Sequence, residues 1–496
     1  MAERSRAGLI GLLLGGLLAV LALWQLEAQR AGLEITTRLV GETPLTRVAQ
    51  PGAEGPVVVV AHGFAGSRQM MQAYSQDMAR AGYRVWAFDF LGHGRHPRPM
   101  SGDVESIDGT TRLLIAQTRA VVDAARAAEG WQGEVALLGH SMATDIIIRT
   151  AIEDPRIGPV VAISAFSGAV TDSVPATLLL ITGAWEPGLR GFARDAVAMV
   201  EPGLGEGETA RAGDVIRRAV VAPWAEHVAV LHSRKGRAEA IDWLDTAYGR
   251  ASDVTVRVTG PWFLALMAAI VALAAPLSRL LPERAPPVPA ALSVGRLALV
   301  VGVPALLAPL LAVQVETRLL PVLVADYLAL HLAIYGLCQL ALLWWCGRRL
   351  AGLRPVAVLA LLVWGLGVFG FALDRYGANF WPTPERLLII AALSLGALPF
   401  MLADALLARG AALWQRIAAR IAFLLSLALA VLLDTERLFF LAMIAPVIVL
   451  FFLVFGLMGR WVAVRAGALP VGLALGLILA WALGVSFPLF APGGQG

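Results

Sequence analysis

A serine set between small residues is the first place in this chain where chemistry could occur. Gly139-His140-Ser141-Met142-Ala143 follows the apolar run Glu134 to Leu138 and opens a helical stretch from Met142 to Glu153. A serine at the apex of so sharp a strand-to-helix turn presents its hydroxyl oxygen outward. The turn demands small residues two positions before and after it, because the two backbones approach closely there. Gly139 and Ala143 meet that demand, with Ala where a second Gly is commoner. Given a base to take its proton, such a serine attacks acyl carbonyls. The pattern alone also fits a serine in an ordinary turn, so the elements around it must carry the argument.

Those elements fill the stretch from Ala31 to about Asp253, where charges are frequent and apolar runs are short. Leu33 to Gln50 reads as an antiparallel pair turning at Gly41-Glu42. Further strands are expected at Pro56 to His62, Arg84 to Phe90, Glu134 to Leu138, Gly158 to Ser164, Ala176 to Thr182 and Ile216 to Ala222. Helices are expected at about Ser67 to Ala81, Thr110 to Ala128, Met142 to Glu153, Leu189 to Val200 and Gly236 to Tyr248. Continuous apolar strands alternating with helices imply a mostly parallel sheet covered on both faces. Functional residues of such sheets lie just beyond the carboxyl ends of the strands.

At those ends stand His62-Gly63-Phe64-Ala65-Gly66-Ser67, Asp89-Phe90-Leu91-Gly92-His93-Gly94 and the turn at Ser141. Over roughly Pro56 to Leu244 the chain resembles the serine α/β-hydrolase superfamily of esterases, lipases and related acyl hydrolases. The resemblance implies an oxyanion loop at His62 to Ser67, a D-x-x-G-x-G turn at Asp89 to Gly94, and the chain order serine, acid, histidine. It puts the acid at Glu186, where most members have Asp, with Asp172 as the rival. It puts the base at His227, in a segment like the superfamily's H-x-x-x-L, with His232 as the rival. His227, oriented by Glu186, would take the proton of Ser141, and the backbone N–H groups of Phe64 and Met142 would form the oxyanion hole. The implied chemistry needs no cofactor, and the remaining histidines form no metal-ligand set. Only Phe166 to Pro175 separates two successive strands where many members insert a helical lid. The site is therefore expected to be open, or covered by the membrane or the membrane-embedded part of the chain, with Trp185 and Trp224 at its entrance or packed on its rim.

The rest of the chain is of another kind. Hydrophobic residues make up 58% of the 496 and charged residues 15%, well under the roughly 25% of ordinary soluble domains. Lys235 is the only lysine, and the net charge of +4 forms no basic run, so a nucleic-acid surface is not indicated. Ala7 to Leu26 is uncharged and long enough to span a bilayer, and no A-x-A-like cleavage site precedes Ala31, so it reads as an uncleaved anchor. About eight more spans are expected: Trp262 to Leu281, Leu297 to Val315, Leu320 to Trp345, Val356 to Leu373, Leu387 to Leu407, Ile417 to Leu433, Phe439 to Met458 and Ala468 to Phe490. Arg279, Arg284, Arg296, Arg348, Arg349, Arg354, Arg409, Arg416, Arg420, Arg460 and Arg465 share a side with Arg4 and Arg6, against Arg318, Arg375, Arg386 and Arg437 on the other. The positive-inside rule then puts the N-terminus in the cytoplasm and the enzyme domain outside. Within the spans, Asp326, Tyr327, His331 and Asp404 are either functional or satisfied locally, the second being favoured. Gly365, Gly367 and Gly370 suggest a close helix contact. Cys338 and Cys346, about two turns apart, are too distant for a disulfide within a straight helix.

The expectation is an α/β-hydrolase fold, mostly parallel and without a lid insertion, joined to an all-α transmembrane bundle. Residues 1–30 form the anchor, 31–255 the hydrolase and 256–496 the polytopic part. The activity expected is serine ester hydrolysis of lipid or other apolar acyl substrates in a bacterial-type inner or plasma membrane. Acyl transfer or amide cleavage is the chemical alternative. From another class, a transporter or assembly platform with an accessory hydrolase-like domain would make Asp326 or His331 essential instead. The partners implied are the bilayer and an apolar acyl ester.

Overall fold

Strands β1 (Glu34–Val40), β2 (Thr43–Ala49), β3 (Val57–Ala61), β4 (Arg84–Phe88), β5 (Val135–His140), β6 (Ile157–Ile163), β7 (Thr177–Gly183), β8 (Thr209–Ala212) and β9 (Val215–Ala222) form one sheet in the order β1-β2-β4-β3-β5-β6-β7-β9-β8. These elements are those of a computed structural model, which describes residues 2–103, 106–316 and 319–491, without the side chains of residues 2–7. Arg318, and the side chains of Arg4 and Arg6, lie outside the described residues. The chain divides into two units, one of Leu21–Leu264, Asp374–Asn379 and Pro488–Gly496, the other of Met1–Val20, Ala265–Leu373 and Phe380–Phe487.

In the first unit β4, β3, β5, β6, β7 and β9 run parallel, and β1, β2 and β8 add antiparallel edges. The five residues Val57 to Ala61 of β3 are fully buried, as a strand covered on both faces must be. The helices α2 (Gln72–Arg80) and α6 (Arg234–Ala247) pack together on one face, and α3 (Arg112–Glu129) and α4 (Met142–Glu153) pack together at the other, with α5 (Pro187–Ala198) against β7 and β9. Met71, Tyr74 and Met78 meet Ile241 and Leu244 over Val58, Val85, Leu138 and Ile181 in the core. The α/β-hydrolase fold expected from the sequence is therefore present. One strand was not expected: β8 has four residues and little hydrophobicity, and it is held by pairing with β9 across the turn at Gly213. The stretch expected as a helix from Ser67 starts as a 3₁₀ turn at Arg68, and α2 proper begins at Gln72.

Two short segments from far along the chain complete this unit. Leu489 N–H donates to the Gly92 carbonyl at 2.8 Å and its own carbonyl accepts from Met100 N–H at 3.0 Å, while Ala491 N–H donates to the Met100 carbonyl at 2.7 Å. Arg95 donates to Asp374 at 2.6 Å and to Asn379 at 2.9 Å, and Asn379 N–H donates to Ser67 Oγ at 3.0 Å.

The second unit is helical. Among the described residues nine helices are long and apolar enough to cross a membrane: Gly8–Ala28, Gly260–Leu280, Val294–Ala312, Ala325–Trp345, Pro355–Tyr376, Pro384–Ala408, Leu413–Leu433, Leu441–Ala466 and Ala468–Ser486. Their number and order follow the sequence reading, with shifted ends. The fourth begins at Ala325 rather than Leu320, because Asp326 turns back to accept hydrogen bonds from the N–H groups of Leu319 and Leu320 at 3.1 and 3.0 Å. The last helix is the most enclosed, with 78% of its apolar window buried, so it forms the centre about which its neighbours pack.

Gly472 and Gly476, a small-xxx-small pair, abut the backbone of Leu402 and Leu398 on the sixth span. Gly396 faces the Ala329 carbonyl, and Gly336 faces the backbone of Pro399 and Phe400. Of the glycines singled out in the sequence, Gly365 sits against Ile478 and Gly370 against Phe380. The segment thus packs closely at Gly365 and Gly370, while a side chain at Gly367 would meet only Val363 at 3.9 Å. His331 is fully buried and satisfied, with Nδ1 3.1 Å from Tyr327 Oη and Nε2 3.1 Å from Ser426 Oγ of the helix Leu413–Leu433. Cys338 and Cys346 are free thiols.

Candidate active site

Ser141 leaves β5 with φ 55° and ψ −122°, a conformation that costs a non-glycine residue of order 1–3 kcal/mol and is held by its surroundings. Its N–H donates to the Ile163 carbonyl at 2.9 Å, and Thr144 Oγ1 donates to its carbonyl at 2.7 Å. A side chain at Gly139 would come within 2.9 Å of Ile147 and 3.1 Å of the Ala143 carbonyl, which is the close approach that the small residue permits. Gly63 is similarly constrained: a methyl there would lie 2.9 Å from Ser141 Cβ. The loop His62 to Phe64 therefore runs directly beside the serine, and Met142 opens α4 immediately after it.

Three chain-distant residues meet at this point. Ser141 Oγ lies 2.8 Å from His227 Nε2, and His227 Nδ1 lies 2.6 Å from Glu186 Oε1. The carboxylate fixes the tautomer: Nδ1 donates to it, leaving Nε2 to accept from the serine hydroxyl. The other oxygen of Glu186 accepts from Gly183 N–H at 2.6 Å and from Ser164 Oγ at 2.8 Å, so both oxygens are held. Burial pushes the Glu186 carboxyl up, but the hydrogen bonds from His227, the Gly183 amide and Ser164 outweigh it and leave the group below its ordinary value. Glu186 is thus an anion at neutral pH, buried beneath a half-exposed imidazole.

The rival residues are elsewhere. Asp172 is exposed in the connection between β6 and β7. His232 is partly buried, with Nδ1 3.0 Å from Thr259 Oγ1 and its ring stacked on Phe263. His62 accepts the Phe90 N–H at Nε2 and donates from Nδ1 to the Gly63 carbonyl, so it braces the loop as a neutral imidazole. Asp89 accepts the backbone N–H groups of Arg68 and Arg95 at 2.8 and 3.0 Å and pairs with the buried Arg68 guanidinium. Its carboxylate fills the space beside Gly94, whose φ of +52° no side chain could share with it.

Two contributors escaped the sequence reading. Ser164, at φ 51° just after β6, holds the Glu186 carboxylate. His140, the residue before the serine, donates from Nε2 to the His227 carbonyl at 2.8 Å. Burial chiefly, and then the proximity of His227, lower His140 to about 4, so it is neutral and able to make this bond from Nε2. No residue type or spacing announced Ser164. His140 occupied the variable place in the serine turn. The rim is apolar: Phe166, Trp185 and Trp224, exposed by 67%, 63% and 82%, follow β6, β7 and β9. The connection between β6 and β7 contains no helix, so no lid arises there.

The model of one serine hydrolase family, described as serine aminopeptidase, S33, matches residues 53–191. Together with the fold, this puts the first unit of the chain in the serine α/β-hydrolase superfamily, and the chain is a hydrolase. No curated protein matches it. Among solved structures, a predicted CIB-like hydrolase from Thermoplasma acidophilum is 15% identical over 43% of this chain and 98% of its own, with a TM-score of 0.34. A dienelactone hydrolase from Anabaena variabilis is 20% identical over 43% and 97%, with a TM-score of 0.32. An epoxide hydrolase from Vigna radiata is 25% identical over 27% and 39%, with a TM-score of 0.22.

Proposed function

We propose that the protein is a membrane-embedded serine esterase that cleaves apolar acyl esters, lipids above all, through Ser141, His227 and Glu186. The observation that carries the reading is the continuous hydrogen-bonded chain of 2.8 and 2.6 Å through these three residues. Ser141 Oγ attacks the acyl carbonyl as His227 Nε2 takes its proton, and Glu186 steadies the imidazolium so formed. The N–H groups of Phe64 and Met142 receive the developing oxyanion, each such donor being worth roughly 3 to 4 kcal/mol. The collapsing intermediate expels the alcohol, which leaves with the proton from His227, and water then releases the acid by the same steps in reverse.

The lipid preference rests on the apolar rim of Phe166, Trp185 and Trp224, the short β6–β7 connection and the nine apolar helices. Nine crossings with the N-terminus in the cytoplasm would put the hydrolase outside a bacterial-type inner or plasma membrane. The same count puts Asn379 and Leu489 on the hydrolase side, in keeping with their hydrogen bonds to Ser67 and Gly92. A transporter reading has less support, since Asp326 and His331 both have local partners.

Labelling of the detergent-purified full chain by a fluorophosphonate probe, beside Ser141→Ala and His227→Ala variants, tests the assignment. Labelling lost in both folded variants is the expected result. An unlabelled folded parent would overturn it. Amide cleavage is the second reading, favoured by the aminopeptidase description of the matching family. Matched acyl esters and anilides separate the two.

A further inference from the structure

The apolar unit contains a site that the hydrolase reading does not use. The helices Pro384–Ala408, Leu413–Leu433, Leu441–Ala466 and Ala468–Ser486 enclose a cavity of about 480 Å³. Part of its lining is apolar, and Leu413, Ile417, Leu453 and Val464 are each about half exposed or more. In a bilayer those residues would open the cavity to hydrocarbon. The rest carries Arg409, Arg416, Arg420 and Arg460 against one carboxylate, Asp404.

The single carboxylate is already engaged. Arg420 Nη2 lies 3.3 Å from Asp404 Oδ2, and the Arg420 guanidinium stands 4.2 Å over the Phe452 ring, yet its buried Nε has no partner. Arg409 donates to the Pro286 carbonyl. Among the described residues, neither Arg416 nor Arg460 has a carboxylate within ion-pair distance. From the ends of their helices, Arg420 and Arg460 lie roughly 10 Å along the axis at 1.5 Å per residue. Charge at that depth is costly and needs water, a partner or a ligand. The positive-inside tendency accounts for arginines near this end of the bundle. It does not account for guanidinium groups from two helices, and from the residue that ends a third, lining one apolar-walled cavity.

We propose that this cavity binds an anionic phospholipid. Its phosphate would sit among Arg416, Arg420 and Arg460, and its acyl chains along Ile417, Leu453 and Leu457. A basic pocket between helices at the cytoplasmic side suits such a headgroup, and the walls distinguish a lipid from a free anion. The site is independent of Ser141.

The test is native mass spectrometry of the delipidated full-length protein in detergent, titrated with phosphatidylglycerol or with phosphatidylcholine of the same chains. Phosphatidylglycerol should bind about tenfold or more tightly, and excess inorganic phosphate should not displace it. Arg416→Gln with Arg460→Gln should abolish the preference, while Arg416→Lys with Arg460→Lys retains most of it. Arg284→Gln with Arg296→Gln, on the same side but outside the cavity, should leave it unchanged. Gly456→Leu keeps every charge and narrows the wall, so it should weaken binding even if the arginine variants fail to fold. Equal binding of the two lipids would overturn the proposal. So would a preference that survives the glutamine pair, undiminished phosphatidylglycerol binding by Gly456→Leu, or displacement by inorganic phosphate.

Discussion

His140 Nε2 donates to the backbone carbonyl of His227 at 2.8 Å, so the residue next to the serine holds the loop that carries the His227 imidazole. The bond ties the end of β5 to the segment after β9 across the sheet. His140→Ala should leave fluorophosphonate labelling detectable but slow it about tenfold, because a small misplacement of the base is costly. His140→Gln, which can still donate to that carbonyl, should recover part of the loss. The rate of probe labelling measures both.

The acid can be tested without removing its volume. Glu186→Gln cannot hold a protonated imidazole, and ester turnover should fall by roughly 10³–10⁴ with the fold kept. Ser164→Ala removes one of the two donors to Oε2 and should cost far less, about a fewfold, since the Gly183 amide remains. Steady-state kinetics on a short-chain ester compares them.

Acidification should weaken the fold through His140 and His232. His140 and His232 are lowered to about 4, each chiefly by burial, and both are neutral in the folded protein at pH 7. A folded value below the unfolded 6.5 means that the unfolded chain binds the extra proton first. Stability therefore falls as pH drops from about 6.5 to about 4 and levels off below that, by at most roughly 3 kcal/mol per histidine. Glu186, lowered in the fold, adds a loss that begins near the ordinary carboxylate value and ends as pH passes its folded value. His232→Asn should flatten the drop between pH 6.5 and 4, as read from thermal melting of the detergent-solubilised chain.

The Arg68–Asp89 pair braces the loop beside the serine, with side chains 5% and 0% exposed. Asp89→Ala leaves a guanidinium buried without its counter-ion and two backbone N–H groups unmet, which should cost about 3–5 kcal/mol. Loss of probe labelling should track this loss of stability. Arg68→Met on the same background should restore part of the melting temperature but not the rate, because the backbone donors stay unpaired.

In the helical unit, Gly396→Val and Gly336→Val should prevent a monodisperse bundle. Even a bare methyl at these positions falls 2.1 Å from the Ala329 carbonyl and 2.3 Å from the Phe400 nitrogen. Gly302→Ala meets nothing within 4 Å and should be tolerated. Gel filtration in detergent distinguishes the outcomes.

The placement of the candidate site was legible where local pattern and chain order coincide. Strands buried on both faces read as unbroken apolar runs, which located β3 and β5 and hence the loops at Phe64 and Ser141. That Glu186 and His227 would come near Ser141 could be expected because each follows a strand at its carboxyl end. The rest depends on contacts between chain-distant residues. Ser164 is an ordinary serine until β6 sets it beside Glu186, and β8 exists only because β9 offers it an edge. The residues that pack the bundle most tightly, Gly336 and Gly396, gave no cue, because a lone glycine in an apolar run says nothing about which backbone it must face. Gly365, in a more conspicuous cluster, did.

The hydrogen bonds from Leu489, Ala491 and Asn379 bear on how the enzyme can be produced. A soluble fragment cut to residues 31–259 would contain Ser141, Glu186 and His227, yet Gly92, Arg95 and Met100 would lose their partners from residues 374–379 and 488–491. Such a fragment is a poor surrogate for screening. Residues 374–379 and 488–491 would have to be supplied, as grafted segments or as a co-expressed piece, before its silence toward a substrate meant anything.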